Sequence, residues 1–154
     1  MKKLILGLVV SLGLLSTNAF AGKPNTPEPA DAVKFGAKYI SVADAKKAQE
    51  NGALLLDARK TKEVSEATIA GSKTALYKEK GGNKNRIPNF APKGHLTMKN
   101  VPKDKNAQLI TFCNGSHCWR SYKAAVTLTK AGYTNVRWMR DGFPGWKAAG
   151  YPTK

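Results

Sequence analysis

Three short strand-like segments constrain the fold of this chain most. They are ALLLDAR (53–59), QLITFC (108–113) and NVRWMR (135–140). The first is a continuous apolar run that ends in charge, which is typical of a strand buried in a parallel sheet. The second segment predicts another buried strand, and the third segment predicts a third strand. Segments of helical or turn character lie between them, and strand–helix–strand order favours parallel pairing through βαβ units. The sequence therefore predicts an α/β domain with a central parallel sheet.

The segments between the runs carry helix and turn signals. Ser41 precedes a helix-compatible stretch that stops at 51–52, an Asn-Gly pair. Residues 121–133 are amphipathic at helical spacing and end at Gly132. Residues 61–77 predict a loop or short helix, then a turn, then another short strand near 74–76. We find no internal repeat.

Two stretches lack a regular pattern. Residues 78–108 are polar, basic and interrupted by Gly and Pro, which is typical of a mobile or functional loop. Residues 22–38 are rich in Pro, Ala and Lys and predict a flexible leader. The domain proper is therefore expected at 39–154, with an irregular basic insertion at about 78–107.

Residues 1–21 have the pattern of a bacterial export signal. A basic start is followed by the apolar run LILGLVVSLGLL (4–15), which is too short to span a bilayer, and by the small-x-small sequence at 19–21. We expect cleavage after Ala21 and a mature protein that is periplasmic or secreted, with no membrane span after cleavage. The alternative is an uncleaved membrane anchor. The remaining residues suffice for one domain with its own core.

The charge of the chain is strongly basic. The formal net charge is +16, and loss of Lys2 and Lys3 with the signal would lower it to +14. Such a balance suits nucleic acid, an anionic membrane surface or a small anionic substrate. Export argues against nucleic acid, and the lysines are scattered rather than striped. We therefore expect no nucleic-acid partner and retain only a bias towards anions.

Both cysteines of the chain lie in FCNGSHCWRS (112–121). Cys113 ends a predicted strand, and the next helix is predicted to begin at Arg120 or Ser121. Asp57 and the 140–141 Arg-Asp pair also fall at predicted strand ends. Ligands of parallel sheets bind beyond the carboxyl ends of the strands, so these placements predict a site at that edge.

The loop between Cys113 and the helix suits anion binding. Its backbone N–H groups and the helix N-terminus together form a cradle for an anion. The same field lowers the pKa of a cysteine and makes it a nucleophile, while Arg120 adds a forked cationic partner. This predicts attack by Cys113 on an anion that carries a transferable sulfur or phosphoryl group.

Other interpretations of these residues stay open. Cys113 is alternatively a buried, inert strand cysteine, or it forms a disulfide with Cys118, either permanently or during turnover. A metal site of Cys113, Cys118 and His117 lacks a clear fourth ligand, so no metal and no cofactor are expected. His117 either relays protons or is simply solvated, and Trp119 either packs or walls the pocket.

Asp57 and Arg59 are expected to support the site rather than to react. Asp57, at the end of its strand, is placed to accept hydrogen bonds from loop backbone or to hold Arg59.

The chain resembles the rhodanese family over about 39–77 and 108–152. Four segments carry the resemblance, of which the last is the most specific: YISVADAKKAQENGALLLDAR, EATIAGSKTA, FCNGSHCWRSYKAAVTLTKAGYTNV and RDGFPGWKAAGYP. The resemblance implies a central parallel sheet flanked by helices on both faces. It also implies a cysteine that carries a persulfide from a sulfur donor, often thiosulfate, to cyanide or a thiol.

By this resemblance, Cys113 takes the place of the persulfide-forming nucleophile, and Arg120-Ser121 that of the pair that closes the loop. The substrate-binding residues would then be those of the loop and the first helical turn: Asn114, Gly115, Ser116, His117, Cys118, Trp119, Arg120 and Ser121.

The loop departs from the family pattern. The common rhodanese loop is Cys-x4-Arg and that of rhodanese-like phosphatases is one residue longer, whereas Cys113-x6-Arg120 is two longer. Cys118 is an added thiol that would either resolve a persulfide on Cys113 or protect Cys113 from overoxidation. Ala67-Thr68 stands where the family often has Gly-His.

Three functions follow as hypotheses. The first is a periplasmic sulfurtransferase that uses a small anionic sulfur donor and a thiol acceptor or an unidentified periplasmic protein. The second is a non-catalytic or redox module with a Cys113–Cys118 disulfide that binds a partner through 78–107. The third, ranked lower, is phosphatase or arsenate-reductase-like chemistry in the enlarged loop.

Overall fold

The computed structural model describes residues 25–154. The predicted export signal, its cleavage site and the first residues of the leader lie outside the described residues. Among residues 25–154, none of the helices combines the length and hydropathy that a bilayer crossing requires.

Five helices and six strands make up the described part of the chain. The helices are α1 (Pro29–Ala32), α2 (Val42–Glu50), α3 (Thr61–Glu66), α4 (Trp119–Lys130) and α5 (Gly142–Ala148). The strands are β1 (Leu54–Asp57), β2 (Lys73–Thr74), β3 (Tyr77–Glu79), β4 (Gly94–Leu96), β5 (Leu109–Phe112) and β6 (Val136–Met139). Short 3-10 turns occupy Val33–Phe35 and Gly82–Asn85.

The central sheet is parallel, in the order β2-β1-β5-β6. The two middle strands align Leu54 with Leu109 and Asp57 with Phe112. Every residue of β5 is buried, because helices cover both of its faces. The α/β fold with a central parallel sheet, predicted from the order of strand and helix segments, is confirmed.

Two hydrophobic clusters lie on the two faces of this sheet. One contains the buried side of α4, including Tyr122 and Leu128, with Trp138 of β6. The other joins α2 and α5 to the sheet through Ala45 and Trp146. The helix predicted at 121–133 is therefore real, although it begins two residues earlier. Its first two turns are buried nearly all round rather than along one stripe.

The insertion expected to be irregular contains an antiparallel hairpin. Strand β3 pairs with β4, so that Tyr77 lies opposite Leu96 and Glu79 opposite Gly94. Tyr77 and Leu96 are buried in the same cluster as α4. Strands of three residues are too short to produce a readable alternation, and their burial depends on a helix that follows later in the chain. The residues between the strands, 80–93, match the irregular expectation apart from one 3-10 turn.

The described part of the leader also has regular structure. It forms α1 and a 3-10 turn, and Ala32 and Ala37 are fully buried. Thr129 Oγ1 of α4 donates to the Gly36 carbonyl, and the Trp138 N–H of β6 donates to the Lys38 carbonyl. The flexibility expected of the leader at 22–38 stays a prediction, while residues 29–35 form regular structure. Contacts with α4 and β6 hold this segment in place, and such contacts produce no periodic pattern in its sequence.

Candidate functional site

The two cysteines lie at the carboxyl edge of the sheet. Cys113 directly follows β5, and Cys118 is the residue before the first turn of α4. They form a disulfide, with their Cα atoms 6.0 Å apart. Cys113 is fully buried, whereas Cys118 is partly exposed. The loop therefore presents one sulfur to solvent and encloses the other.

Neighbouring segments hold this loop through its carbonyl groups. The Phe143 N–H donates to the Cys113 carbonyl at 2.7 Å. The Ser116 carbonyl accepts from both the N–H and the hydroxyl of Thr26, at 2.7 and 2.8 Å. Arg140, beyond the end of β6, in turn donates to the Thr26 hydroxyl. The segment before the domain thus lies across the cysteine loop and fixes its position.

Glu63 of α3 reaches the loop from the opposite side. Its carboxylate accepts a hydrogen bond from the Asn114 amide and lies 3.7 Å from Arg120 Nη1. Partial burial acts to raise the pKa of Glu63. The hydrogen bonds from Asn114 and the Lys60 N–H and the nearby arginine charges outweigh it, so the pKa lies below its ordinary value. Arg120, predicted to bind a substrate anion, is therefore beside a carboxylate of the protein itself.

A cavity of about 530 Å³ lies beside the exposed side of the disulfide. Five of the predicted substrate-binding residues line it: Asn114, His117, Cys118, Trp119 and Arg120. The other lining residues are all charged. They come from α3, from the residue before it and from the insertion: Lys60, Lys62, Glu63, Glu66, Glu79 and Arg86. The cavity thus combines one cysteine of the disulfide with a cluster of mixed charge.

The remaining predicted residues of the loop do not line this cavity. Cys113 lies behind Cys118, and Gly115 and Ser116 face the turn that Thr26 holds. Ser121 is fully buried, and its hydroxyl accepts a hydrogen bond from the Trp138 indole at 3.1 Å. Ser121 therefore anchors the first turn of α4 to β6 in the core.

The sequence did not indicate an ion-pair cluster that links the insertion to α4. Glu79 accepts from Lys123 at 2.9 Å and from Arg86 at 3.1 Å, and Lys123 is fully buried. Burial acts to raise the pKa of Glu79, but these two hydrogen bonds and charges lower it below its ordinary value. Nothing in the sequence relates Lys123 to a carboxylate 44 positions away.

Asp57 and Arg59 form a buried cluster behind the site. The Asp57 carboxylate accepts from the Arg59 backbone N–H and guanidinium, and from the Thr68 hydroxyl at 2.6 Å. The Arg59 guanidinium lies 4.2 Å from the Phe143 ring centre. Neither Asp57 nor Arg59 lines the cavity, and their supporting role stays a prediction. Within the described range, no three His, Cys, Asp or Glu side chains are placed to hold a metal ion.

An α/β domain with a cysteine loop at the carboxyl edge of its parallel sheet is the architecture that the sequence resemblance predicted. The Rhodanese-like domain family matches residues 41–149, which is most of the chain. The protein belongs to this family and is therefore a sulfurtransferase-family protein. A search of curated proteins finds no match.

Solved structures agree with this assignment at the level of the fold. The BH2092 protein from Bacillus halodurans has a TM-score of 0.55 at 21% identity, covering 82% of this chain and 86% of that chain. A protein from Rhodopseudomonas palustris, described as a protein of unknown function and a possible tyrosine phosphatase, has a TM-score of 0.55 at 22% identity. The match covers 86% of this chain and 100% of that chain. Thiosulfate sulfurtransferase from Pseudomonas aeruginosa has a TM-score of 0.56 at 19% identity, over 82% of this chain and 23% of that chain.

Proposed function

We propose that this protein is an exported, periplasmic sulfurtransferase that carries sulfane sulfur as a persulfide on Cys113. The donor is thiosulfate or a similar sulfane-sulfur anion, and the acceptor is a thiol or cyanide. The observation that carries the proposal is the position of Cys113, directly after the central strand β5 and bonded to Cys118, which lines a cavity. Membership of the rhodanese-like family and the likeness to a thiosulfate sulfurtransferase support it.

The reaction begins from the reduced loop. The Cys113 thiolate attacks the outer sulfur of thiosulfate, a Cys113 S–S bond forms, the bond within thiosulfate breaks, and sulfite leaves with the electron pair. Arg120 and the backbone N–H groups at the start of α4 attract the anion. In the resting structure Arg120 is beside Glu63, so the donor competes with that carboxylate.

Cys118 gives the persulfide a second outcome besides transfer. Its thiolate attacks the inner sulfur of the Cys113 persulfide, hydrosulfide leaves, and the Cys113–Cys118 disulfide forms. This is the bond that the structure contains. A further thiol reductant must then restore the reduced loop before another turnover.

Intact-mass measurement tests this proposal. The reduced protein is freed of reductant, treated with thiosulfate and compared with Cys113→Ser and Cys118→Ser. We expect the Cys118→Ser protein to gain one sulfur atom and keep it, and Cys113→Ser to gain none. The wild type should release sulfide and return to the disulfide. Absence of added sulfur on Cys118→Ser would refute the persulfide carrier.

A second candidate is a redox or binding module that uses the disulfide without carrying sulfur. The Cys113–Cys118 bond in the structure favours it. It predicts an unchanged mass in all reduced variants after thiosulfate, together with reversible oxidation of the wild type. Partner binding would then be lost with charge reversal in the 78–107 insertion.

A further inference from the structure

The two sulfurs of the disulfide differ in their access to solvent. Cys118 is partly exposed and lines the 530 Å³ cavity, whereas Cys113 is fully buried and does not line it. The Cys113 carbonyl is held by the Phe143 N–H, so that end of the loop is also fixed by the rest of the fold. The cavity thus gives access to one end of the S–S bond.

Thiol–disulfide exchange requires a particular direction of approach. The incoming thiolate approaches along the line of the S–S bond, on the side of the attacked sulfur that faces away from its partner. Cys113 is fully buried, so the fold leaves an external thiol no open approach to its sulfur. Attack on Cys118 needs only the cavity.

We propose that Cys118 is the entry point at which an external thiol reduces the disulfide, and that the cavity selects a negatively charged thiol. The inference rests on the disulfide and the cavity and does not depend on sulfur transfer. It assigns the two cysteines separate roles: Cys118 exchanges with the reductant, and Cys113 is released.

The charge of the cavity determines the class of thiol. Glu79 is paired with Arg86 and Lys123, and Glu63 is beside Arg120. Four cationic side chains line the cavity against three carboxylates, and buried Lys123 adds a positive charge behind Glu79. Among the lining residues Lys60 and Lys62 are exposed cations and Glu66 is the exposed carboxylate, so a positive excess is left and the field at the cavity favours an incoming anion.

The exchange balances with a dithiol, or with two equivalents of a monothiol. One external thiolate bonds to Cys118 Sγ, the S–S bond breaks, and Cys113 leaves as a thiolate. A second external thiolate attacks the external sulfur of this mixed disulfide and releases Cys118 as a thiolate. The reductant is oxidised to a disulfide, and both protein cysteines are reduced.

Trapping the mixed disulfide tests the point of entry. The oxidised wild-type protein reacts briefly with 2-mercaptoethanesulfonate, and the mixture is then quenched with iodoacetamide in large excess over that thiol, which alkylates the released cysteine. Both cysteines lie in the tryptic peptide 106–120, and fragmentation of this peptide locates each adduct. We expect the sulfonate thiol on Cys118 and the alkyl group on Cys113. The reverse assignment overturns the proposal.

The unfolded protein provides the control. In guanidinium, where neither sulfur is enclosed, we expect the sulfonate adduct on both cysteines. Adduct on Cys118 alone in guanidinium would mean that local sequence rather than the fold directs the attack, which also overturns the proposal. None of these outcomes requires thiosulfate, so the result is independent of whether the protein transfers sulfur.

Rates with thiols of different charge test the selectivity. Reduction by 2-mercaptoethanesulfonate, neutral 2-mercaptoethanol and cationic cysteamine is measured and normalised to the reaction of each thiol with a small disulfide. We expect the anionic thiol to be favoured over the cationic one by about two- to fivefold at low salt, and the preference to vanish at about 1 M salt.

Two matched variants locate the source of the preference. Lys62→Gln removes an exposed cation of the cavity and should reduce the preference. Lys99→Gln removes an exposed cation outside it and should not. Equal rates for anionic and cationic thiols, or the same loss in both variants, would refute the assignment of an anionic thiol.

Discussion

Lys123 lies in an environment that is unusual for a lysine. It is fully buried on α4, and its ammonium donates to Glu79, which Arg86 also contacts. Removing one partner of a buried ion pair leaves an uncompensated charge, whereas removing both is much less costly. Glu79 therefore holds the insertion against the helix that begins at the cysteine loop.

We predict that Glu79→Gln lowers the free energy of unfolding by about 3 kcal/mol or more. The double variant Glu79→Gln with Lys123→Met should recover a large part of that loss, because the fully buried ammonium is then absent and only the partly buried Arg86 loses its carboxylate. Urea unfolding measures both. Lys34→Met breaks an exposed pair with Asp31 and should change stability by less than about 1 kcal/mol. A loss of that small size for Glu79→Gln would contradict the prediction.

At the scale of elements, the parts predicted from sequence are those whose burial follows from local pattern. β1 and β5 are short, mostly apolar runs, β6 is a short segment with one exposed arginine, and α4 has a helical period, so their type and order were readable. The site at the carboxyl edge followed from that order. The β3–β4 hairpin and α1 were missed, because their few buried residues are defined by contacts with α4 and β6 rather than by a period.

The turn between β6 and α5 presses directly against the cysteine loop. Gly142 has φ +59°, and a Cβ there would collide with the Cys113 carbonyl oxygen and lie 2.7 Å from the Gly115 nitrogen. Gly150 also has positive φ, at +72°, but a Cβ there would meet nothing within 4 Å. Comparing alanine substitutions at the two glycines therefore distinguishes the cost of backbone strain from the cost of steric overlap.

We expect Gly150→Ala to cost about 1 kcal/mol, through backbone strain alone. Gly142→Ala should cost about 2–4 kcal/mol, because strain and overlap with the loop add. It should also change the rate at which the disulfide is reduced, which Gly150→Ala should leave unaltered. Urea unfolding and the thiol-exchange rate are the measurements. Equal effects of the two substitutions would mean that the turn does not position the loop.

For the whole molecule, acid stability depends on carboxylates that the fold favours in their charged form. The pKa values of Glu63 and Glu79 lie below their ordinary value of 4.5. Each carboxylate therefore contributes stability that is fully present above about pH 4.5, and this stability is lost as the pH falls through the folded-state pKa. Below pH 4.5 the unfolded state binds more protons, so the free energy of unfolding should decrease with falling pH.

Glu79→Gln should flatten this dependence, whatever its effect on stability at neutral pH. Urea unfolding at a series of pH values from about 6 to 2 gives the slope for each protein. Glu50→Gln, which removes an exposed carboxylate paired with Lys46, is the control and should keep more of the wild-type slope. An unchanged slope for Glu79→Gln would show that its carboxylate does not govern the acid response.

The proposed cycle of the loop between a disulfide and two thiols requires a protein that stays folded in both states. The Cys113–Cys118 bridge closes a separation of five residues, and so short a loop contributes only about 2 kcal/mol by the loop-entropy relation. Domains of this size are stable by about 5–15 kcal/mol, so most of the stability lies in the two hydrophobic clusters rather than in the bridge.

We therefore predict that reduction lowers the free energy of unfolding by about 2 kcal/mol and leaves the far-UV circular dichroism unchanged. Urea unfolding with and without reductant, beside a Cys113→Ser/Cys118→Ser protein that should not respond to reductant, measures the effect. Unfolding on reduction would make the bridge a structural staple, and neither sulfur transfer nor exchange at Cys118 could then proceed through a folded reduced state.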